Sequence, residues 1–292
     1  LVHVVTEGPL GWSAVNAAHR LGIPVTSGFH TNFDRYSAHY GLGWLRPALG
    51  AYLRALHRRT RRTLVPTEAL AADLAGAGVN GVRVVGRGVD TELYHPERRS
   101  DTLRADWGAK PDDLVCLFVG RLAPEKNLDL ATRAFAAIGA QRPGARMVWV
   151  GDGPARSALE RSHPHHHFAG TRSGADLAAH YASADLFIFP SLTETYGNVV
   201  AEAMASGLPV LAYRSAAAAE LVVNGANGLA APPGDETAFV EAGVRLAAEP
   251  RHLPALGEAA RQTILPRSWS AVVDRFEAVV REAVAEHADI SL

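Results

Sequence analysis

Short apolar runs rich in β-branched residues alternate with longer helical stretches along the whole of this 292-residue chain. That alternation admits few folds, because parallel strands need long crossovers and helices are what the crossovers become. Candidate strands of a first part are Val2–Val5, Val25–Phe29, Thr63–Pro66 and Val82–Val85, with helices at Trp12–Leu21, Leu42–Arg62 and Glu68–Ala75 between them. A second series contains strands Leu114–Val119, Arg146–Val150, His167–Ala169, Asp185–Phe189 and Val210–Ala212. Its helices fall at Leu128–Gln141, Pro154–Ser162, Asp176–Ala182, Asn198–Ser206 and Asp235–Ala248. Parallel sheets covered by helices, an α/β architecture, are the expected outcome. Tyr94 to Asp113 holds Pro96, Pro111 and many charges and lacks strand character, so a domain break is expected there. The reading is a first domain and linker in residues 1–112, a second domain in 113–267 and a terminal helix in 268–292. That helix places Trp269, Val272, Val273, Phe276, Val279, Val280 and Val284 on one face, with Ser268 as its N-cap.

The most telling motif begins where the apolar run ending at Phe189 meets the polar loop Pro190–Tyr196 and opens into a helical pattern at Gly197. The first N–H groups of a helix have no partner within it and favour negative charge. Glu194 and Glu202 lie beside and inside that helix start. Both would repel a phosphate placed on them, yet acceptor-only carboxylates suit hydroxyls. A ligand with phosphate in the middle and polyols on both sides is a nucleotide sugar.

Glu194 and Glu202, eight positions apart and followed by Ala203-Met-Ala-Ser-Gly207-Leu-Pro209-Val210, closely resemble the donor site of retaining glycosyltransferases of family four. Those enzymes have the GT-B fold, two Rossmann-like parallel-sheet domains. The resemblance implies that Glu194 contacts the transferred sugar, that Glu202 binds the ribose, and that Thr195, Tyr196, Gly197, Asn198 and Val199 form the helix start beside the diphosphate. Gly120-Arg121-Leu-Ala-Pro-Glu-Lys126 resembles the family's Gly-Arg-Leu…Lys motif, whose cations grip that diphosphate. Charge grows on the leaving nucleotide as the glycosidic bond breaks, so Arg121 and Lys126 would do what a divalent metal does elsewhere. No metal or other cofactor is expected. Gly151-Asp152-Gly153-Pro154 matches a family turn at the donor cleft, with Pro154 in the first helical turn. Thr171 and Arg172 stand where the family approaches the base. The base itself cannot be read, so the donor is GDP-mannose or a UDP-hexose.

Phe29-His30-Thr31, extended by Asn32-Phe33, Tyr36 and Tyr40-Gly41, resembles the segment at which family members place an imidazole beside the transferred sugar. Histidine suits that place because it both donates and accepts near neutral pH. This extended form looks most like bacterial GDP-mannose-dependent alpha-mannosyltransferases and sulfoquinovosyl-type lipid glycosyltransferases. Gly86-Arg-Gly88-Val-Asp90 matches a further family turn. One departure is Ser215-Ala-Ala-Ala-Ala219 ahead of Glu220, where many relatives have glycines. Family members also begin with several more βα units, so an N-terminal domain truncated by roughly 80–100 residues is expected.

The remaining features bound the reading. Net charge is −1, which gives no general attraction to nucleic acid. The single cysteine, Cys116, lies in an apolar run and excludes a disulfide scaffold. No run approaches the ~18 apolar residues of a membrane span, and no signal peptide is visible, so a cytoplasmic protein is expected. Trp44–Arg62 has six arginines and no acid, with Leu45, Leu49, Tyr52, Leu53 and Leu56 at helical spacing. Such a helix permits peripheral contact with anionic membrane, but Arg58, Arg59, Arg61 and Arg62 also suit a helix C-terminus. His163-Pro-His-His-His167 reads as a solvated loop rather than a metal site. Two functions stand: a hexosyltransferase, with mannose favoured and a lipid or saccharide acceptor, or a truncated remnant that binds nucleotide sugar without transfer. A nicotinamide-dependent oxidoreductase is excluded, since no Gly-x-Gly-x-x-Gly follows the first strand of either part.

Overall fold

The computed structural model describes residues 1–29 and 46–290, so His30 and the start of the expected Leu42–Arg62 helix lie outside the described residues. The chain forms two compact units, Leu1–Gly88 with Trp269–Leu292, and Val89–Ser268. In the first, β1 (Val2–Val4), α1 (Pro9–Arg20), β2 (Val25–Gly28), α2 (Arg46–His57), β3 (Arg62–Val65), α3 (Glu68–Gly76) and β4 (Val82–Val84) follow in order. Among the described residues its strands pair in parallel as β1-β2-β3-β4. Leu53 of α2, Phe29, Val65, Leu74 and Val79 form its larger apolar cluster.

The second unit contains α4 (Asp101–Asp106), β5 (Val115–Val119), α5 (Leu128–Gln141), β6 (Arg146–Val150), α6 (Arg156–Ser162), β7 (His167–Gly170), α7 (Gly174–Ser183) and β8 (Leu186–Phe189). It continues through α8 (Asn198–Ala205), β9 (Val210–Tyr213), α9 (Ala216–Leu221), β10 (Gly228–Ala231), α10 (Glu236–Ala248) and α11 (Leu253–Ile264). The six strands are parallel and ordered β10-β9-β8-β5-β6-β7. From β5 the chain winds outward through β6 and β7, then returns to β8 beside β5 and winds the other way. That is the doubly wound Rossmann order, with its switch point between β5 and β8. Every residue of both strands is buried, as for strands covered by helices on two faces. Asp185 pins the pair at its lower end. It accepts from Val115 N at 2.8 Å, from Arg104 at 2.9 Å and from Arg99 at 2.9 Å. Arg104, buried in α4, also donates to Asp113 O and Ser183 O. Residues 89–112, grouped with the first part in the sequence reading, therefore pack with the second unit, and the units divide at Gly88.

The final helix, α12 (Trp269–Ile290), belongs to the first unit. Val279 and Ala283 are its buried residues, whereas Trp269, Val273 and Val284 are exposed, so the apolar face expected from spacing is only partly covered. Acidic residues do the rest. Glu282 accepts from Arg62 at 2.9 Å and Arg83 at 2.8 Å, Glu286 pairs with Arg62, and His287 accepts from Arg61 at 2.8 Å. The two guanidinium groups hold the Glu282 carboxyl down to about 2. These contacts correct the expected long basic helix. α2 ends at His57, whose carbonyl accepts from Thr60 Oγ1 at 2.9 Å, and Arg62 already lies in β3. Arg58 donates to Ala77 O and Gly78 O at the end of α3, and Arg59 lies 5.3 Å over the Trp12 ring. The four arginines stabilise neighbouring elements of their own unit. Among the described residues no helix is long and apolar enough to cross a membrane.

A buried polar network ties β2, α2 and the loop after β1 together. Ser27 Oγ lies 2.8 Å from His57 Nδ1 and 2.9 Å from Thr60 Oγ1, while Glu7 Oε1 faces His57 Nε2 at 3.6 Å. Thr60 must donate to the His57 carbonyl, so Ser27 donates to Thr60 and His57 Nδ1 carries the proton donated to Ser27. Nε2 then faces the Glu7 carboxylate, with both side chains buried. Removing one partner of such a pair leaves the other buried and alone. Glu7→Ala is expected to destabilise by roughly 3–5 kcal/mol. Glu7→Gln, whose amide can donate to Nε2, should stay within about 1 kcal/mol of the parent. Urea unfolding of both variants checks the difference, and equal losses would refute this proton count.

Candidate functional site

In open α/β sheets the loops leaving the carboxyl ends of the two strands at the switch point enclose a crevice. Here those loops carry the motif residues. After β5, Gly120 turns the chain at φ +152°, and a short 3₁₀ turn, Pro124–Lys126, leads into α5 through the left-handed Asn127. After β8, the loop 190–196 ends in Gly197, itself left-handed at φ +86° and N-cap of α8. Glycine tolerates that conformation and offers no capping side chain, so no side chain caps the first turn of α8 at Asn198 and Val199.

The two loops meet through their side chains. Lys126 Nζ forms an ion pair with Glu194 Oε1 and lies 5.9 Å from the centre of the Phe189 ring. Ser191 Oγ donates to the same Glu194 oxygen at 2.8 Å, and Thr193 Oγ1 donates to Glu125 O at 3.3 Å. Arg121 reaches the buried Glu125 carboxylate at 3.5 Å with half of its side chain exposed. Lys126 and Glu194 are both largely enclosed, at 16% and 18% exposure, so their attraction is weakly screened. A cation, a carboxylate and an uncapped helix start thus share one crevice.

The loop after β6 is set by packing. A Cβ on Gly151 would lie 2.0 Å from Gly120 O, and one on Gly153 would lie 2.4 Å from Leu122 O. Both glycines let this loop press against the one after β5, and Leu122 N donates to Asp152 O at 2.9 Å. The helix begins at Arg156 rather than at Pro154, because Gly153 and Pro154 are used in the turn. Thr171 and Arg172 follow β7 at the sheet's edge, where Arg172 donates to Ala169 O and pairs with Asp176. Glu202, within α8, accepts from Tyr181 at 2.9 Å, and Tyr94 packs edge-on against that tyrosine. Burial pushes its carboxyl above the usual range, against the lowering effect of the two phenols.

A groove of about 820 Å³ opens at the opposite ends of the strands, lined by Arg142, Arg251, Asp112, Asp113, Ser206 and Glu258 among others. Its mixed charge and its distance along β5 and β8 from the motif loops separate it from the crevice.

Comparison with known proteins agrees with this geometry. The model for "Glycosyltransferase Family 4" matches residues 1–93, and that for "Glycosyl transferases group 1" matches residues 113–249. A GDP-mannose-dependent alpha-mannosyltransferase of Mycobacterium tuberculosis is 38% identical over 275 residues, covering 94% of this chain and 70% of the relative. The chain belongs to the family-four glycosyltransferases. A sulfoquinovosyl transferase of Arabidopsis thaliana is 32% identical, over 94% of this chain and 55% of the relative. Among solved structures, a sucrose-phosphate synthase from Thermosynechococcus elongatus superposes with TM-score 0.81 at 22% identity, covering 97% of this chain and 73% of that one. Anabaena HepE in complex with UDP gives 0.76 at 20% identity, over 97% and 79%. The GT-B fold is the fold of this glycosyltransferase.

Several partners of the motif residues carry no sequence signal of their own. Thr193 and Tyr181 become neighbours of Glu125 and Glu202, and Tyr94 of Tyr181, only through the fold. In this glycosyltransferase Ala216 sits at φ +47°, where a glycine would be at ease. Left-handed backbone costs a residue with a Cβ about 1–2 kcal/mol. Ala216→Gly is expected to stabilise the chain by about 1 kcal/mol in urea unfolding. No change, or a loss, would show that the strain is relieved elsewhere.

The histidine run is part of the packing. His166 accepts from Trp149 Nε1 at 3.2 Å and meets the Phe135 ring edge-on at 5.0 Å. Burial, helped by His163 and His165, depresses its pKa to about 4, and His167 is lowered as well. A depressed imidazole is charged more readily in the unfolded chain, so it favours folding above its ordinary pKa and loses that contribution as pH falls toward 4. Stability measured from pH 7 to 4.5 should decline more steeply in the parent than in His166→Phe; parallel curves would contradict this.

Proposed function

We propose that the chain is a retaining hexosyltransferase that moves a sugar from a nucleotide diphosphosugar to a lipid or saccharide hydroxyl. The observation that carries this reading is the meeting of Lys126 and Glu194 at the switch point, beside the uncapped start of α8. Mannose from GDP is the favoured donor, since relatives 38% identical to this chain are GDP-mannose-dependent alpha-mannosyltransferases.

Chemistry assigns the roles. The diphosphate gains negative charge as the bond to the sugar breaks, and Lys126, Arg121 and the N–H groups of Asn198 and Val199 stabilise it there. The ammonium of Lys126 has three hydrogens, so it can keep Glu194 and still donate to phosphate. Glu194 faces the sugar as positive charge develops on it. The acceptor hydroxyl attacks from the face the phosphate leaves, giving its proton to the departing oxygen, and no carboxylate nucleophile is required. His30 is assigned a place beside the transferred sugar by its motif alone. Glu202 holds the ribose, and the turns at Gly120, Gly151 and Gly153 shape the floor.

Steady-state kinetics separate the two glutamates. A carboxylate on the ribose binds ground and transition states alike, so Glu202→Ala should raise KM with kcat nearly unchanged. Glu194→Ala should lower kcat, and each loss should be on the order of 30- to 1,000-fold in kcat/KM. The reverse pattern would overturn the assignment, and donor binding without any turnover would leave only a nucleotide-sugar binder. Because the cations do the work of a metal, turnover should also persist in a strong chelator. Loss in chelator with recovery on magnesium or manganese would refute that role.

A further inference from the structure

The carboxylate of Glu202 is held by a buried phenol, which a second tyrosine packs against. Tyr181 of α7, fully buried, donates to Oε2 at 2.9 Å. Tyr94, in the segment ahead of α4, meets Tyr181 edge-on with ring centres 5.7 Å apart and lies close enough to the same carboxylate to lower its pKa. Tyr94 is itself anchored, because Arg261 of α11 donates to Tyr94 O at 3.1 Å and also to Ala205 O at the end of α8. Arg261 therefore holds the segment bearing Tyr94 against the helix bearing Glu202.

We propose that Tyr94 and Tyr181 are positioning residues that present Glu202 to the two vicinal hydroxyls of the donor's ribose. A carboxylate offers about four lone-pair directions. The Tyr181 phenol takes one and fixes the plane of the carboxylate, which leaves directions free for a cis-diol. Fixing the carboxylate before the ligand arrives removes the rotamer entropy that a free glutamate would lose on binding. Both phenols keep their protons, since burial, together with Glu202 and Asp90, raises Tyr94 to about 12 and burial with Glu202 raises Tyr181 well above the usual phenol range. The groups facing Glu202 are these two tyrosines, with Asp90 acting on Tyr94.

This inference rests on the reading of Glu202 as the ribose ligand, and the test separates the two. Calorimetry would compare GDP and UDP with their 2′,3′-dideoxy counterparts on the parent chain, Tyr181→Phe and Tyr94→Phe. The parent should prefer the natural nucleotide. Each variant should lose about tenfold of that preference while binding the dideoxy form as the parent does, which also shows that the site is still folded. A pH series adds a second readout. Nucleotide affinity should fall as Glu202 takes up its proton, and without the Tyr181 hydroxyl, which lowers the Glu202 pKa, the fall should move to higher pH. A parent that does not discriminate the dideoxy form would overturn the ribose assignment. Variants that keep the full preference, or an unmoved pH profile, would overturn the positioning role alone.

Discussion

The candidate site depends on one constraint: β5 and β8 lie side by side while the chain leaves them in opposite directions. Parallel strands joined by right-handed crossovers must diverge at such a point, and the departing loops enclose a crevice. The pair is fixed from below by Asp185, which links Val115 of β5 to Arg104 and Arg99. From above it is bridged by Lys126 and Glu194. The lower lock lets the upper loops hold opposite charges in a largely enclosed place without drifting apart.

Function and packing share residues there. Gly151 and Gly153 fit a donor-cleft motif, yet both are required because a Cβ would strike the backbone of the loop after β5. Gly197 serves both ends at once: its left-handed turn sets Glu194 beside Lys126 and leaves the first turn of α8 without a side-chain cap. Lys126 is similarly double, a partner for a carboxylate and a reserve of donors for an anion.

Much of this was legible in the sequence. Strand runs such as Leu114–Val119 and Arg146–Val150 are buried on both faces and so read as continuous apolar stretches. The Rossmann-like sheets and the family follow from them and from Glu194 and Glu202. Other elements gave too little signal. α9 is four alanines with Glu220 and Leu221, and β10 is Gly228-Leu-Ala-Ala231, so neither has a hydrophobic period and packing alone decides them. The helix expected over Leu42–Arg62 was overrun for a related reason: arginine favours helices, but Arg62 is claimed by pairing with Thr26 in β2 and by Glu282 and Glu286 in α12. The hold of Tyr181 on Glu202, and of Tyr94 on Tyr181, joins residues more than a hundred positions apart at its extremes, and only the fold reveals it.

The most direct measurement is a crystal structure of the chain with GDP-mannose or, if that does not bind, UDP-glucose. The account predicts the diphosphate in the crevice between the β5 and β8 loops, against Lys126 and the N–H groups of Asn198 and Val199, with the ribose on Glu202. A diphosphate at the opposite ends of the strands, beside Arg142 and Arg251, or one in the crevice that leaves Lys126 untouched, would contradict it.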